Sequence, residues 1–302
     1  MNEYKNIIKS PLARKRILNL LSFMPDELML KLQYRIKLRR KLDLKNPQRF
    51  TEKLQWYKIN YRNPLMRECV DKYTVRNYVE RKGLKDILVP LIKKYDSIED
   101  VNWNELPNEF VMKTTNGSGG LNVIVCNDKS KMDFNETKKN LESADSVFHN
   151  NSGGREWAYY GLKRNIIVEK LLINKQNPEA GIDDYKIFCY AGMPKYIIVD
   201  VDRYIGHKRN FYDIEWNNLH IESDCPKANR DIPKPKNLDK MLMVAGKLSE
   251  DFPYVRVDLY NIDGEIHFGE LTFYPWSGYV QFEPDSFDYK LGKEFVLPEG
   301  IK

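Results

Sequence analysis

The sequence predicts a mixed fold of helices and strands, an α+β protein, on three observations. Apolar residues recur at helical spacing through much of residues 5–82, two short apolar segments at 110–113 and 121–126 flank a glycine-rich loop, and residues 255–260 and 265–273 read as a hairpin. A chain of 302 residues, 42% hydrophobic and 30% charged with mean hydropathy −0.61, buries roughly 75% of its unfolded surface and needs no disulfide or metal staple. No apolar run approaches the ~20 residues of a membrane-spanning helix. Cys69, Cys126, Cys189 and Cys225 form no C-x-x-C pair and follow no signal peptide, so a cytoplasmic chain with free thiols is expected.

The net charge of +6 is unevenly placed: residues 1–49 hold 13 Lys and Arg against four acids, and the remainder holds 36 against 39. Residues 5–45 read as helical, with a break at Pro25 and a new start at Pro25-Asp26-Glu27 that runs into Arg35, Lys37, Arg39, Arg40 and Lys41. Two readings stand for this basic run: adhesion to an anionic membrane surface or a polyanionic polymer, or a solvated helix pair packed on the body.

Further along, the pattern gives helices at 51–61 and 65–82, with Gly83 as the C-cap, and a short strand at 87–91. Strands follow at 110–113 and 121–126, a helix at 135–143, and strands at 165–172, 185–190 and 195–201. A proline-rich loop at 225–237, a helix at 239–250 and the hairpin complete the order.

That hairpin places Arg256, Asp258, Glu270 and Thr272 on its two strands, and which of them share a face depends on the loop. A two-residue Asp263-Gly264 turn puts Asp258 and Glu270 on opposite faces. A three-residue loop with Gly264 as a bulge puts all four on one face, with Arg256 directly opposite Glu270, and this is the expected register. Two carboxylates beside an Arg suit oxygen-ligated Mg²⁺ bound together with substrate phosphates. A structural Arg–acid cross-strand pair is the plain alternative.

Lys113 at the base of Gly117-Ser118-Gly119-Gly120 adds a fixed charge to a loop whose amides can cradle an anion, though no Gly-Lys-Ser/Thr of a P-loop follows. The segment Val168-Glu169-Lys170-Leu171-Leu172 offers backbone groups and Leu side chains for a flat heterocycle. By themselves these segments are equally a hairpin loop and a strand end. His149, His207, His220 and His267 make no zinc pattern, and Ser118 and Ser152 lie in no G-x-S-x-G, so zinc and serine-nucleophile chemistry are not supported.

Six segments in order resemble the ATP-grasp superfamily, and within it the TupA-like proteins found with cell-surface polysaccharide genes. They are Phe50-Thr51-Glu52-Lys53-Leu54-Gln55-Trp56, Asp71-Lys72-Tyr73-Thr74-Val75-Arg76, Leu106-Pro107 through Lys113, Asn116-Gly117-Ser118-Gly119, Asp184-Tyr185-Lys186, and Arg256-Val257-Asp258 with Gly269-Glu270-Leu271-Thr272-Phe273. The resemblance implies two α+β lobes clasping ATP behind a basic helical extension. The divisions it implies are 1–49 (extension), 50–106 (N-terminal subdomain), 107–172 (lid) and 173–302 (core with the Mg²⁺ site).

By the same resemblance Arg76 and Lys113 contact phosphate, and Gly117, Ser118, Gly119 and Gly120 close over the β- and γ-phosphates. Glu169, Lys170 and Leu172 read adenine, Asp184 approaches ribose and Lys186 contacts phosphate. Asp258, Glu270 and Thr272 hold Mg²⁺, and Arg256 steadies the reacting carboxylate and acyl phosphate. Two departures are visible: Thr272 stands where the family's metal triplet has Asn, and Asn116 where the TupA-like pattern has His. The implied reaction is carboxylate–amine ligation through an acyl phosphate, joining an amino acid or amino sugar to a uronic acid of a capsular or wall polymer. Arg203–Arg209 and Trp276-Ser277-Gly278 are the expected surroundings of the acceptor. The rivals are a glycan kinase, a glycosyltransferase and a nucleotide-binding adaptor without turnover. Nucleic acid is not an expected partner, because the body is slightly acidic.

Overall fold

Two antiparallel sheets organise the chain in the computed structural model, which describes residues 10, 17, 18, 20–117, 123–143 and 153–299. The first contains β1 (Leu91–Tyr95), β2 (Phe110–Thr114), β3 (Val123–Cys126) and β4 (Ile166–Glu169), in the order β1-β4-β2-β3. The second contains β5 (Asp184–Tyr190), β6 (Met193–Val201), β7 (Lys208–Asp213), β8 (Val255–Ile262) and β9 (Glu265–Thr272), in the order β7-β6-β5-β8-β9. Helices α1 (Asp26–Leu38), α2 (Phe50–Asn60), α3 (Leu65–Val70), α4 (Val75–Arg81), α5 (Phe134–Ser143), α6 (Leu238–Ser249) and α7 (Ser286–Glu294) pack around them.

Three local differences from the sequence reading have backbone causes. The helix expected over 65–82 divides at Asp71, which turns extended (φ −86°, ψ 125°) and accepts the amides of Tyr73 and Thr74 on Oδ1, each at 2.9 Å. The strand expected at 87–91 begins only at Leu91, because Pro90 has no amide to give to a ladder. The strand expected over 165–172 ends at Glu169. The sequence pattern predicts no element at β7 or α7.

Each sheet has its own core. Tyr95, Ile98, Val101 and Leu106 pack with Phe110, Met112 and Val168, and β1 pairs with β4. The first lobe therefore starts at β1, and the boundary expected between 106 and 107 falls inside its core. Helix α2 instead joins the core of the second sheet: Phe50 meets Phe188, Tyr254 and Phe295 at ring-centroid distances of 5.8, 5.0 and 6.4 Å.

Helix α1 starts directly after Pro25, as the proline and first-turn acids predict, and ends at Arg39 in the left-handed conformation (φ 57°). It buries Met29, Leu30, Gln33, Tyr34 and Leu38. The Tyr34 hydroxyl bonds Thr51 at 2.8 Å, and the Tyr279 hydroxyl donates to Gln33 at 2.7 Å. The described part of the basic extension is thus fastened to the core rather than separable from it. The rest of residues 1–19, including Arg14, Lys15 and Arg16, lies outside the described residues.

Candidate active site

The β8–β9 hairpin sets the site through two compensating irregularities. Its turn is the two-residue Asp263-Gly264, both at positive φ (51° and 89°), and Ile262 pairs with Glu265. That register alone would send Glu270 to the face opposite Asp258. Between Leu259–Phe268 and Asp258–Glu270 the pairing slips by one residue, leaving Gly269 as a bulge. All four expected side chains then share a face, but Arg256 stands opposite Thr272 and Asp258 opposite Glu270, which corrects the expected Arg256–Glu270 pairing. A Cβ on Gly269 would lie 2.9 Å from the Asp258 carbonyl oxygen. Gly269→Ala is therefore expected to destabilise the fold by about 1–2 kcal/mol, read as a lower urea midpoint at unchanged m value. An unshifted midpoint would mean that the backbone gives way at this point.

On that face Arg256 donates from Nε to Asp258 Oδ1 at 2.7 Å and from Nη2 to Asp258 Oδ2 at 2.6 Å. Nη2 also reaches Thr272 Oγ1 at 3.1 Å and Glu270 Oε1 at 3.5 Å, and Thr272 donates to Glu270 Oε1 at 2.9 Å. From β5, Lys186 donates to Asp258 Oδ2 at 3.1 Å and to Asp184 Oδ2. Arg203 Nη1 reaches the same Asp184 oxygen at 2.7 Å, while Asp184 Oδ1 is buried without a partner. Burial works against the Glu270 carboxylate, but the charges of Lys72 and Arg256 outweigh it and hold its pKa below the usual value.

This face floors a cavity of about 1880 Å³ between the lobes. Val111, Lys113, Glu169, Lys170 and Leu172 line it from the first lobe, and Lys72, Gly117, Glu156, Tyr159, Trp276 and Ser277 line it as well. Glu169 joins two cations, accepting Lys113 Nζ at 2.6 Å and Arg76 Nη1 at 3.1 Å. Lys72 Nζ donates to the Gly117 carbonyl, where the glycine-rich loop leaves β2.

The family model described as TupA-like ATPgrasp matches residues 52–296. The chain belongs to the TupA-like ATP-grasp family. No curated protein sequence matches it at a significant level. Among solved structures it is similar to D-alanine–D-alanine ligase from Bacillus anthracis, at 19% identity and TM-score 0.40 over 68% of this chain and 57% of that one. It is also similar to the L-amino acid ligase from Bacillus licheniformis, at 16% identity and TM-score 0.42 over 70% of this chain and 44% of that one. Biotin carboxylase from Campylobacter jejuni matches at 15% identity and TM-score 0.40, over 76% of this chain and 47% of that one. The chain thus spans about half the length of these three proteins.

Of the residues that the ATP-grasp resemblance singled out, Lys113, Gly117, Glu169, Lys170, Leu172, Asp184, Lys186, Arg256, Asp258, Glu270 and Thr272 all line the cavity. Ser118, Gly119 and Gly120 lie outside the described residues. Arg76 is not among the lining residues; it sits behind Glu169 with its side chain 15% exposed. Lys72, four positions earlier in the same Asp-Lys-x-x-x-Arg segment, lines the cavity instead.

Of the expected acceptor surroundings, Arg203, Tyr204, His207, Arg209, Trp276 and Ser277 line the cavity. Arg209 is locked on Asp200 at 2.6 and 3.0 Å and on Asp224 at 2.6 Å. Burial works against the Asp200 carboxylate, yet His207 and Arg209 overcome it and hold its pKa far below the usual range. Sequence reasoning missed Glu156, and it missed Gln33, Ile36 and Lys37, through which α1 forms a cavity wall.

Proposed function

We propose that this ATP-grasp protein is an ATP-dependent carboxylate–amine ligase. The observation that carries the reading is the bulged hairpin, which turns Arg256, Asp258, Glu270 and Thr272 together onto the cavity floor. The segment Lys170–Leu172 would take the adenine, Asp184 the ribose, and Lys72, Lys113 and Lys186 the phosphates. The donor set fits Mg²⁺: Asp258 and Glu270 face each other beside a hydroxyl, all hard oxygens. Among the described residues no group of three or more His, Cys, Asp or Glu is placed to hold a metal by itself. Two protein carboxylates shared with substrate phosphates are the mode that such a site supports. When bound, Mg²⁺ supplies neutralisation of phosphate charge.

In the proposed reaction a carboxylate oxygen of the acid attacks the γ-phosphorus of ATP and ADP leaves. The amine then attacks the resulting acyl carbonyl, phosphate leaves, and the amine's surplus proton is released. Arg256 would hold the acid carboxylate in line with the phosphorus, and Lys72 and Lys113 would balance charge on the transferred group. No protein nucleophile is required.

For the substrates, the family analogy favours a uronic acid of a capsular or cell-wall polysaccharide and an amino acid or amino sugar. The rings of Tyr159 and Trp276 and the Lys37 ammonium all line the cavity, which supports a sugar bearing a carboxylate. Incubation with ATP, Mg²⁺, glucuronate and hydroxylamine is expected to give ADP and a hydroxamate. ADP with a stable phosphosugar would instead establish a kinase. If Asp258→Asn and Glu270→Gln leave function intact while charge reversal across Arg35–Lys41 abolishes it, the protein is an adaptor.

A further inference from the structure

The face of α1 turned away from the core is apolar too. Leu28, Leu32 and Ile36 follow one another at four-residue spacing and are 54%, 39% and 51% exposed. The segment leading into the helix adds Leu20 and Phe23, exposed by 74% and 82%. A row of large apolar side chains left in water marks a surface that meets something apolar.

Basic groups border this row. Lys31 and Arg35 each precede a member of it by one position, and Arg39 and Lys41 follow the helix, while Arg40 between them is paired with Asp285 at 2.5 Å. The two acids at the start of α1 are already matched, Asp26 by Arg155 at 2.9 Å and Glu27 by Lys31 at 2.5 Å. Across residues 1–49 the 13 basic side chains exceed the acids by nine, and of these Arg40 and Arg49 are paired with Asp285 of the body.

We propose that this face docks on an anionic lipid bilayer. Leu20, Phe23, Leu28, Leu32 and Ile36 enter the headgroup boundary, and the flanking Lys and Arg side chains meet the lipid phosphates. A soluble polyanionic glycan is met by charge alone and gives the apolar row no role. No helix among the described residues is long and apolar enough to cross a membrane, so this contact lies in the interface plane. Leu32 and Ile36 also line the cavity, so the docking face is continuous with the cavity wall. That an acceptor is presented there rests on the ligase reading, whereas the docking itself does not.

The test is sedimentation of the full chain with vesicles of phosphatidylglycerol and phosphatidylcholine, against vesicles of phosphatidylcholine alone. The wild type is expected to partition onto the mixed vesicles and to be released by salt. Leu28→Asp with Phe23→Ser, neither of which borders the cavity, is expected to lower the partition coefficient at least about tenfold. Lys31→Glu with Arg35→Glu should lower it by at least about tenfold as well, and both double variants should keep the wild-type melting temperature. Equal wild-type partition onto the two vesicle types, or variants that partition like the wild type, overturns the proposal. It is also overturned if the wild type fails to sediment with lipid but binds alginate undiminished in the Leu28→Asp, Phe23→Ser variant, which assigns the basic run to a polyanion. A wild-type dimer that the same variant dissociates overturns it too, by giving the row a second copy of the chain.

Discussion

Asp258→Asn is expected to lower ADP release on the order of 10³-fold and to destabilise the fold by about 3–5 kcal/mol. Both effects come from one geometry. Asp258 is 3% exposed and receives two bonds from Arg256 and one from Lys186, each of which is 8% exposed. An Asn keeps the shape but removes the charge and turns an amide donor toward donors. Two buried cations are then left with less compensation, and that penalty is what denaturation would read. Glu270→Gln supplies the contrast, because its side chain is 39% exposed and its cation Arg256 reaches it only at 3.5 Å, while the Thr272 hydroxyl donates at 2.9 Å. Its cost to stability is expected to stay within about 1 kcal/mol, with a loss of activity comparable to that of Asp258→Asn. Urea titration and ADP release on both variants decide the matter. Undiminished turnover in Asp258→Asn would remove the residue from the site, and equal destabilisation by the two variants would show that the hairpin face is merely a structural ion cluster.

What was legible in the sequence divides along a physical line. Residue types at fixed short spacing were readable, because strand alternation and the Asp263-Gly264 turn are local. Their register was not, since the one-residue slip at Gly269 is set by how both strands pack on the core. The same division holds in α1: Pro25 and the acids after it announce the helix start, but the Tyr279 hydroxyl that holds Gln33 comes from 246 positions away. The split at Asp71 shows a local signal outvoted by apparent periodicity, because a single Asp side chain accepting two amides was enough to end one helix and begin another. Lys72 was within the motif as quoted, yet only the docking of that segment on Gly117 shows that it, and not Arg76, lines the cavity. Glu156 carried no motif at all, and its place beside Ser277 and Tyr159 depends wholly on tertiary packing.

Lys58, which also had no motif, is expected to make the fold about 2 kcal/mol more stable at pH 9 than at pH 7, a difference that Lys58→Met should remove. The side chain is 1% exposed and donates to Ser277 O at 2.8 Å, Ser277 Oγ at 3.0 Å and Gln55 Oε1 at 3.1 Å. Burial lowers its pKa to about 7; the Glu156 charge opposes the shift and the Lys37 charge adds to it. In the unfolded chain the group titrates near about 10.4. Between those two values the unfolded state holds a proton that the folded state has released, so stability rises with pH there. The full penalty applies below about pH 7, where the folded chain must carry the buried ammonium. Lys186 behaves oppositely: burial acts against its charge but Asp184 and Asp258 raise its pKa, so its contribution is lost only above the ordinary lysine range. Lys53 and Lys72 are lowered by burial and add to the rise with the same sign, but Lys58→Met leaves them in place. The difference between wild type and variant at pH 7 and pH 9, from urea midpoints, therefore isolates Lys58. An identical rise in both proteins would mean that Lys58 stays charged throughout. Its role would then be to fix, together with Gln55, the carbonyls of the left-handed turn at Trp276 and Ser277.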